Sequence, residues 1–381
     1  MANTSEAAHR AWSRKYGGLK FEQRLSSLRD TGPFDLTDKL GEGGWGNVYS
    51  TEIEGVAVAL KLLHLFPNKQ RHIYVKELRI LQKLSEKRHR HVIELVGWFE
   101  LVGRLQSRVG LVIWPVARCD LSKMLHYMDI LSGLGARLAD ITKQTPYTLD
   151  EEDVNAIDVL SELTGTVCED SSEGSLSRVQ LVHDAARRML YTTIGCLAQA
   201  ISYLHNDHQI RHKDLNPKQI LLSSQGLWVA DFGMSKDFSA LSNSASGNCE
   251  KTSVKYHAPE RESKGRLLCG RSEDIFALGC TYLEMMYRLR GLPIEDHLNP
   301  AGVMGWSYQA NLHSIRRWLE SLIVTSDTRD YWATGFTTLI RMMMARDSQS
   351  RPNVEQVIVF LARLETLKDV ELFGLCCRPS A

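Results

Sequence analysis

The sequence of 381 residues has no long apolar run. Met1 to Lys20 contains nothing that resembles the apolar core of a signal peptide, and no later segment is apolar over the length needed to cross a bilayer. We therefore expect no stable membrane insertion and a cytoplasmic or nuclear location.

A strong charge bias is also absent. Lysine and arginine total 46, aspartate and glutamate total 45, and the formal net charge is +1. Binding to nucleic acid or to an anionic membrane through a broad electrostatic surface requires a basic excess, so no nucleic-acid partner is expected.

The eight cysteines form no CxxC pair, so local spacing gives no support for a structural zinc site. Because no export signal is present, reduced thiols are the default expectation. The adjacent pair Cys376-Cys377 could carry palmitate, but no apolar or polybasic anchor accompanies it. Two ordinary tail thiols are the favoured interpretation.

The composition is that of an ordinary globular protein, with 43% hydrophobic and 24% charged residues. Its length suffices for one large domain or two lobes. Short strand-like segments come first, interrupted by one amphipathic helix at residues 70–87. The predicted strands are Phe34–Leu40, Asn47–Ile53, Val56–Leu63, Val96–Val102 and Val109–Trp114.

After Pro115 the pattern becomes helical. A small, mostly β lobe followed by a larger helical lobe is a bilobal α+β arrangement. The predicted amphipathic helices are Leu190–His205, Asp274–Tyr287, Leu312–Ile323, Trp332–Met344 and Val354–Thr366.

Three segments are predicted to lie outside the folded core. Residues 1–33 are polar, end in a Gly-Pro boundary and read as an N-terminal extension, and residues 369–381 read as a C-terminal tail. Residues 130–181 form an acidic insertion, because nine acidic and no basic residues occur between Asp150 and Glu173. Such a segment is usually solvated or disordered, and docking of a basic partner is the less favoured alternative.

A glycine-rich segment, Gly41-x-Gly43-x-x-Gly46, lies between two predicted strands. Backbone N–H groups without neighbouring Cβ atoms can approach phosphate oxygens there. A dinucleotide-binding fold uses similar glycines but needs a helix directly after them. Here the chain continues as a strand from Asn47, which favours a phosphate-binding β hairpin.

Lys61 stands in the apolar strand that follows this hairpin. An ammonium there can neutralise phosphate groups, although a lone lysine could instead extend to the surface. It needs a carboxylate to hold it, and Glu77 on the next helix is the candidate. Glu86 and Glu94 compete, but one lies at the helix end and the other in a predicted loop.

Two aspartates complete the set of candidate groups. Asp231 follows a strand-like segment and begins the triplet Asp-Phe-Gly, where a carboxylate can hold Mg²⁺ against phosphate oxygens. Asp214 follows His212-Lys213 and can orient a substrate hydroxyl and accept its proton. We expect His212 to be structural.

With Ala258-Pro259-Glu260 downstream, these motifs follow the order of the eukaryotic protein kinase superfamily, which the chain resembles from about Phe34 to Lys368. The resemblance implies a small five-stranded antiparallel β lobe with one helix at 34–114 and a larger, mainly α-helical lobe at 115–368. It also implies ATP with Mg²⁺, or alternatively Mn²⁺, and protein substrates. It assigns no oligomeric state.

The resemblance further implies how the nucleotide is held. The backbone of Trp114 and Val116 would bond adenine, with Ile113 as the gatekeeper residue. Val48 would lie above the base, and Asp120 is a candidate ribose contact.

It also implies two structural contacts in the second lobe. The helix that contains Asp274 would anchor the catalytic loop, and Arg351 would pair with Glu260. Phosphorylation of the serine-rich activation segment could order it through Arg211 and Lys213, although Cys249 occupies the usual phosphosite position.

The catalytic loop departs from the family pattern, since it reads Asp-Leu-Asn-Pro-Lys-Gln from Asp214 to Gln219. Asn216 replaces a lysine that normally contacts the γ-phosphate. Gln219 replaces the asparagine that holds a second Mg²⁺, so it is a candidate metal ligand beside Asp231. Lys218 is either a substitute for the missing lysine or a solvent-facing charge.

The leading hypothesis is an ATP- and Mg²⁺-dependent kinase of protein Ser or Thr hydroxyls, attenuated by Asn216 and Gln219. Pro217 and the stretch from Ser253 to Tyr256 favour serine/threonine specificity, whereas Lys218 resembles tyrosine kinases. The alternative is a pseudokinase that serves as a nucleotide-binding scaffold or allosteric regulator. A small-molecule kinase is disfavoured by the complete Ala-Pro-Glu segment.

Overall fold

The computed structural model describes residues 34–378, except 35, 44–45, 66–70, 102–106, 140–147, 168–175, 240–253, 262–269, 293–305, 326–330 and 367–369, together with residues 7, 10–11 and 24–25. The chain divides into two units. The first comprises residues 1–117 and 230–235, and the second comprises residues 118–229 and 236–381.

A six-stranded sheet dominates the first unit. Its strands are β1 (Arg24–Leu25), β2 (Lys39–Gly43), β3 (Gly46–Ile53), β4 (Val56–Leu65), β5 (Glu94–Leu101) and β6 (Ser107–Trp114). They lie in the order β1-β5-β6-β4-β3-β2. The five predicted strands pair antiparallel. The short β1 adds a parallel pairing with β5 and lies within the segment that was expected to be an extension.

The apolar pattern explains where the core of this unit sits. Strand β4 is central in the sheet, and Val58, Leu60 and Leu62 on it are buried. Helix α1 (Arg71–Glu86) contacts β5 and buries leucines three residues apart at 78, 81 and 84. This packing fixes which side chains of the helix point toward the sheet.

Helices dominate the second unit. They are α2 (Leu121–Ala139), α3 (Glu151–Thr164), α4 (Leu176–Ser202), α5 (Arg271–Leu289), α6 (Leu312–Thr325), α7 (Tyr331–Met343) and α8 (Val354–Thr366). The short strands are β7 (Cys119–Asp120), β8 (Ile210–Arg211), β9 (Ile220–Ser223), β10 (Gly226–Val229) and β11 (Lys236–Asp237). Among the described residues, no helix is both long and apolar enough to cross a membrane.

Helix α5 differs from its predicted amphipathic character. Every residue from Glu273 to Leu289 is buried, including charged ones. Helices α2, α4 and α7 all contact it, which leaves no solvent-facing side. The charged residues on α5 are therefore constrained to pair inside the protein, and Asp274 and Glu284 do so.

The acidic insertion is also corrected by the structure. Asp150 accepts a hydrogen bond from the Asp153 backbone N–H at 2.8 Å and opens α3 with a capping box. The helix ends at Gly165, whose φ of 65° is the left-handed conformation common at such ends. It packs against α2 and α4 through buried apolar residues at 156, 157, 160 and 163.

Basic residues elsewhere in the second unit neutralise part of this acidic segment. Arg137 of α2 bonds the buried Asp153 at 2.7 Å, and Arg118 bonds Glu162 at 2.6 Å. Counting charges along residues 150–173 alone could not reveal partners that precede the segment in sequence.

Candidate active site

The glycine-rich segment forms a β hairpin. Gly43 of β2 is opposite Gly46 of β3, and the connecting residues 44–45 lie outside the described part of the chain. A Cβ at Gly46 would lie 1.9 Å from the Leu62 carbonyl oxygen, so a larger residue would displace the backbone. A Cβ at Gly41 would meet no described atom within 4 Å, which leaves backbone that a phosphate group can approach.

Lys61 and two carboxylates form a charged cluster in the first unit. Lys61 lies opposite Val48 in the β3–β4 ladder. Its Nζ is 2.8 Å from Glu77 Oε1 and 3.1 Å from Asp231 Oδ1. Of the competing carboxylates, Glu94 pairs with Arg88 at 3.0 Å, and the glutamate at 86 is exposed.

The electrostatics of the cluster favour a permanent cation. Burial alone would lower the pKa of Lys61, but the carboxylates of Asp231 and Glu77 outweigh it and raise that pKa. Burial raises the pKa of Glu77, and Lys61 opposes that rise. The ion pair therefore helps to keep a buried carboxylate charged.

Asp231 comes two residues after the end of β10 and has an unusual backbone conformation. Its φ of 61° lies in the left-handed region, which costs a non-glycine residue about 1 kcal/mol or more. The Gly233 N–H lies 3.4 Å from its Oδ1, and 42% of the side chain is exposed. The carboxylate is thus oriented locally while part of it stays accessible.

The segment predicted to bond adenine lies at the end of β6. Trp114 is its last residue and is buried, and Val116 follows with partial exposure. Ile113 is buried and lies opposite Ala59 of β4. These positions leave the adenine and gatekeeper roles as predictions.

The catalytic loop of the second unit is held by Asn216. This residue is 2% exposed. Its Nδ2 donates to the Asp214 carbonyl oxygen at 2.9 Å, and its Oδ1 accepts from the Lys218 N–H at 3.0 Å. The amide therefore caps the short 3-10 turn Pro217–Gln219 and joins it to Asp214. A lysine has no acceptor and could not make the second bond.

The neighbouring candidate residues are more exposed to solvent than Asn216. Lys218 is exposed and Gln219 is partly buried, with its N–H donating to the Asn216 carbonyl at 2.9 Å. Asp120 caps α2 by accepting the Lys123 N–H at 2.9 Å. Burial raises the pKa of Asp120, and the charges of Lys123 and Lys218 oppose that rise.

Asp274 anchors the backbone just before Asp214. Its Oδ2 lies 2.8 Å from His205 Nε2 and accepts the His212 N–H at 2.8 Å, while its Oδ1 accepts the Lys213 N–H at 2.8 Å. Burial opposes ionisation, but these hydrogen bonds and charges lower the pKa of Asp274 to about 2. The anchor also holds Lys213 at a φ of 69°.

A second buried ion pair secures the end of the activation segment. Arg351 bonds both oxygens of Glu260 at 2.7 Å, in the bidentate geometry typical of arginine and carboxylate. Arg351 Nη1 also donates to the Ser272 carbonyl oxygen at 2.9 Å. The two residues that the sequence paired across 91 positions are thus in contact.

The activation segment is described only in part. Asp214 lines a small pocket together with Tyr256 and His257 from its end. The predicted positions at 249 and 253 lie outside the described residues. Arg211 is fully buried and lies 3.9 Å from Glu273, and its part in ordering the activation segment stays a prediction.

The predicted site residues divide between the two units. The first unit contains the three glycines, Val48, the Lys61–Glu77–Asp231 cluster and the adenine segment, and the second contains Asp120, Asp214, Lys218 and Gln219. Sequence reasoning missed the structural part of Asn216. Its position one residue before a proline, where asparagine often caps a turn, was the available signal.

Comparison with known proteins identifies the family. The family model for protein tyrosine and serine/threonine kinases matches residues 34–361. The chain therefore belongs to the protein kinase family, and its fold is the bilobal α+β fold expected for it.

Several curated relatives agree. MAP kinase kinase skh1/pek1 of Schizosaccharomyces pombe is 31% identical over 42% of this chain and 40% of its own length. Cysteine-rich receptor-like protein kinase 11 of Arabidopsis thaliana is 25% identical over 87% of this chain and 42% of its own length. SNF1-like protein kinase ssp2 of S. pombe is 24% identical over 87% of this chain and 44% of its own length. The chain thus spans about two fifths of the length of these relatives.

Proposed function

We propose that this chain is an ATP- and Mg²⁺-dependent protein kinase that transfers the γ-phosphoryl group to Ser or Thr hydroxyls. The observation that carries the proposal is the cluster in which Lys61 contacts both Glu77 and Asp231. It combines a held cation for phosphate with a partly exposed carboxylate for a metal ion.

The residues of each unit fit the nucleotide and the metal ion. The accessible backbone at Gly41 suits phosphate oxygens, and the carboxylate oxygens of Asp231 are ligands that Mg²⁺ accepts. When bound, Mg²⁺ neutralises charge on the β- and γ-phosphate oxygens. Gln219 is the proposed second metal ligand. Its side chain is one methylene longer than that of asparagine, so its amide oxygen lies farther from the backbone.

In the proposed mechanism Asp214 orients the substrate hydroxyl and accepts its proton as the phosphoryl group is transferred. Lys61 donates hydrogen bonds to phosphate oxygens while Glu77 fixes its ammonium. Asn216 supports this arrangement indirectly, because it holds the loop and lies buried rather than near solvent. Exposed Lys218 is the remaining candidate for the phosphate contact of the missing lysine.

A pseudokinase is the second candidate function, and Gln219 is the observation that favours it. Loss of one charge-stabilising contact in phosphoryl transfer costs about 3–4 kcal/mol, or roughly a few hundredfold in rate. That cost describes a slow kinase. A scaffold would bind nucleotide without any turnover that depends on Asp214.

Transfer of labelled γ-phosphate tests the proposal, with Mg²⁺ or Mn²⁺ and a generic protein substrate. We expect Asp214→Ala to lower the rate by about 100-fold or more and to keep nucleotide binding in a thermal-shift assay. Asp158→Ala, an exposed carboxylate on α3, is the matched control and should retain the wild-type rate. Phosphoamino-acid analysis then separates Ser and Thr from Tyr.

Nucleotide binding without transfer by the wild type would refute kinase activity and favour the scaffold. If Gln219→Asn then restored transfer, the altered side chain would be the cause. We do not choose Asn216→Lys for this test, because it removes the cap of the turn that follows Asp214.

A further inference from the structure

The C-terminal segment 370–378 packs onto α4 within the second unit. Leu372 and Phe373 are fully buried. The Gly195 N–H donates to the Leu372 carbonyl at 2.7 Å, and a Cβ at Gly195 would lie 2.3 Å from the Phe373 ring. This segment was expected to be a simple tail, but the close fit shows that it packs at a defined position on the helix.

Three thiols meet where the segment turns. The sulphur atoms of Cys196 on α4, Cys376 and Cys377 all lie within 4.8 Å of one another. Cys196 Sγ and Cys376 Sγ are 3.7 Å apart. A tetrahedral zinc ion with Zn–S bonds of about 2.3 Å places two thiolate sulphurs about 3.8 Å apart. A disulfide requires about 2.0 Å.

The backbone around these thiols also suits thiolates. The Gly374 N–H points to Cys196 Sγ at 3.3 Å, and the Cys377 N–H closes a turn onto the Gly374 carbonyl at 2.8 Å. A Cβ at Gly374 would lie 3.1 Å from Cys196 Sγ and 3.2 Å from Cys376 Sγ. Glycine therefore lets both sulphurs approach the same stretch of backbone, and an N–H donor to sulphur stabilises its charged form.

We propose that Cys196, Cys376 and Cys377 bind a zinc ion through three thiolates and thereby fasten segment 370–378 to α4. Three soft sulphur ligands select zinc among the abundant divalent ions. Sequence spacing gave no sign of this site because 180 residues separate Cys196 from Cys376.

Metal analysis of the purified full chain tests the site. We expect about one zinc ion per wild-type chain and less than about a tenth of that in Cys196→Ser or Cys376→Ser. Cys280→Ser, a buried cysteine on α5 outside the cluster, is the matched control and should keep its zinc. Asp214→Ala should keep its zinc too, so failure of the kinase proposal would leave this one standing.

A second set of measurements follows the bound metal itself. Cobalt substitution should give the thiolate charge-transfer absorption and the intense visible bands of a tetrahedral site. A chelator should lower the melting temperature of the wild type and have no effect on Cys376→Ser. Gly374→Ala should weaken zinc binding by about tenfold or more, as loss of ligand support does.

Three outcomes would overturn the site. They are zinc-free protein from zinc-supplemented cells, equal zinc in Cys376→Ser and wild type, or a Cys196–Cys376 disulfide in peptide mapping of freshly purified protein. The last would identify a redox pair in place of a metal site.

Discussion

Replacing Asp274 with asparagine should destabilise the second unit and slow phosphoryl transfer. The side chain is 1% exposed, and its two oxygens lie against three potential donors, from residues 205, 212 and 213. In either orientation the new NH₂ group would face a donor, since both carboxylate oxygens already have one. Removing such a buried charged acceptor costs about 3–5 kcal/mol of unfolding free energy.

The effect should depend on pH in a defined direction. The folded pKa of Asp274 is about 2 and its ordinary value is 3.8, so ionisation favours folding above the ordinary value. That stability is lost as the pH falls toward the folded pKa. With these two values the contribution is about 2.4 kcal/mol at pH 5 and about 1.3 kcal/mol at pH 3. Because asparagine does not titrate, the gap between wild type and variant should shrink by about 1 kcal/mol between pH 5 and pH 3.

Equilibrium urea unfolding followed by far-ultraviolet circular dichroism at both pH values measures this gap. Asp158→Asn, an exposed carboxylate on α3, is the control and should give a small, pH-independent difference. A gap of the same size at pH 5 and pH 3 would refute the low pKa. An unchanged unfolding free energy at neutral pH would refute the anchoring role.

Two further predictions concern the helical unit. Arg351→Met leaves the Glu260 carboxylate buried and unmatched, so unfolding should become easier by about 3–5 kcal/mol, whereas Arg351→Met/Glu260→Gln should recover part of this loss. Strictly additive urea-unfolding energies in that double-mutant cycle would contradict the pairing. Leu160→Ala empties a fully buried site on α3 and should cost about 2–5 kcal/mol, while Val154→Ala on the exposed face of the same helix should stay within about 0.5 kcal/mol. Equal small effects in the same assay would mean that α3 does not pack on the unit.

The elements that the sequence predicted well are those with a local signal. The hairpin follows from glycines between β-forming runs, and α1 follows from leucines at helical spacing. The contact between Arg351 and Glu260 was predicted because family motifs carry it, since nothing in local spacing implies a partner 91 residues away. Glu77 was chosen as the partner of Lys61 because it lies on the next predicted helix.

The error in the acidic segment arose because its charge composition was given more weight than the spacing of its apolar residues. Residues 150–173 are acidic, yet apolar residues recur at helical spacing through 156, 157, 160 and 163, and Asp150 is a strong helix cap. An acidic side chain need not be solvated when an arginine of a neighbouring helix bonds it, as Arg137 bonds Asp153 at 2.7 Å. The helical period was the better guide than the charge count.

The cysteines show a limit of a different kind. Spacing rules detect metal ligands that are close in sequence. Cys196 lies on α4, 180 residues before Cys376 in the sequence. Only the docking of Leu372 and Phe373 brings the sulphurs together. A ligand set assembled by packing in this way is invisible until the chain is folded.

The departures in the catalytic loop are therefore unequal in consequence. Asn216 replaces a lysine, and in this chain its amide accepts and donates within the loop, so it stabilises the turn but supplies no cation for a phosphate group. Asp274 supports the same loop from the opposite end. With the loop held at both ends, the extra methylene of Gln219 must be absorbed by its own side chain, because Mg²⁺ tolerates little error in ligand position. The choice between a slow kinase and a nucleotide-binding scaffold consequently rests on Gln219 and on whether Lys218 can supply the missing phosphate contact.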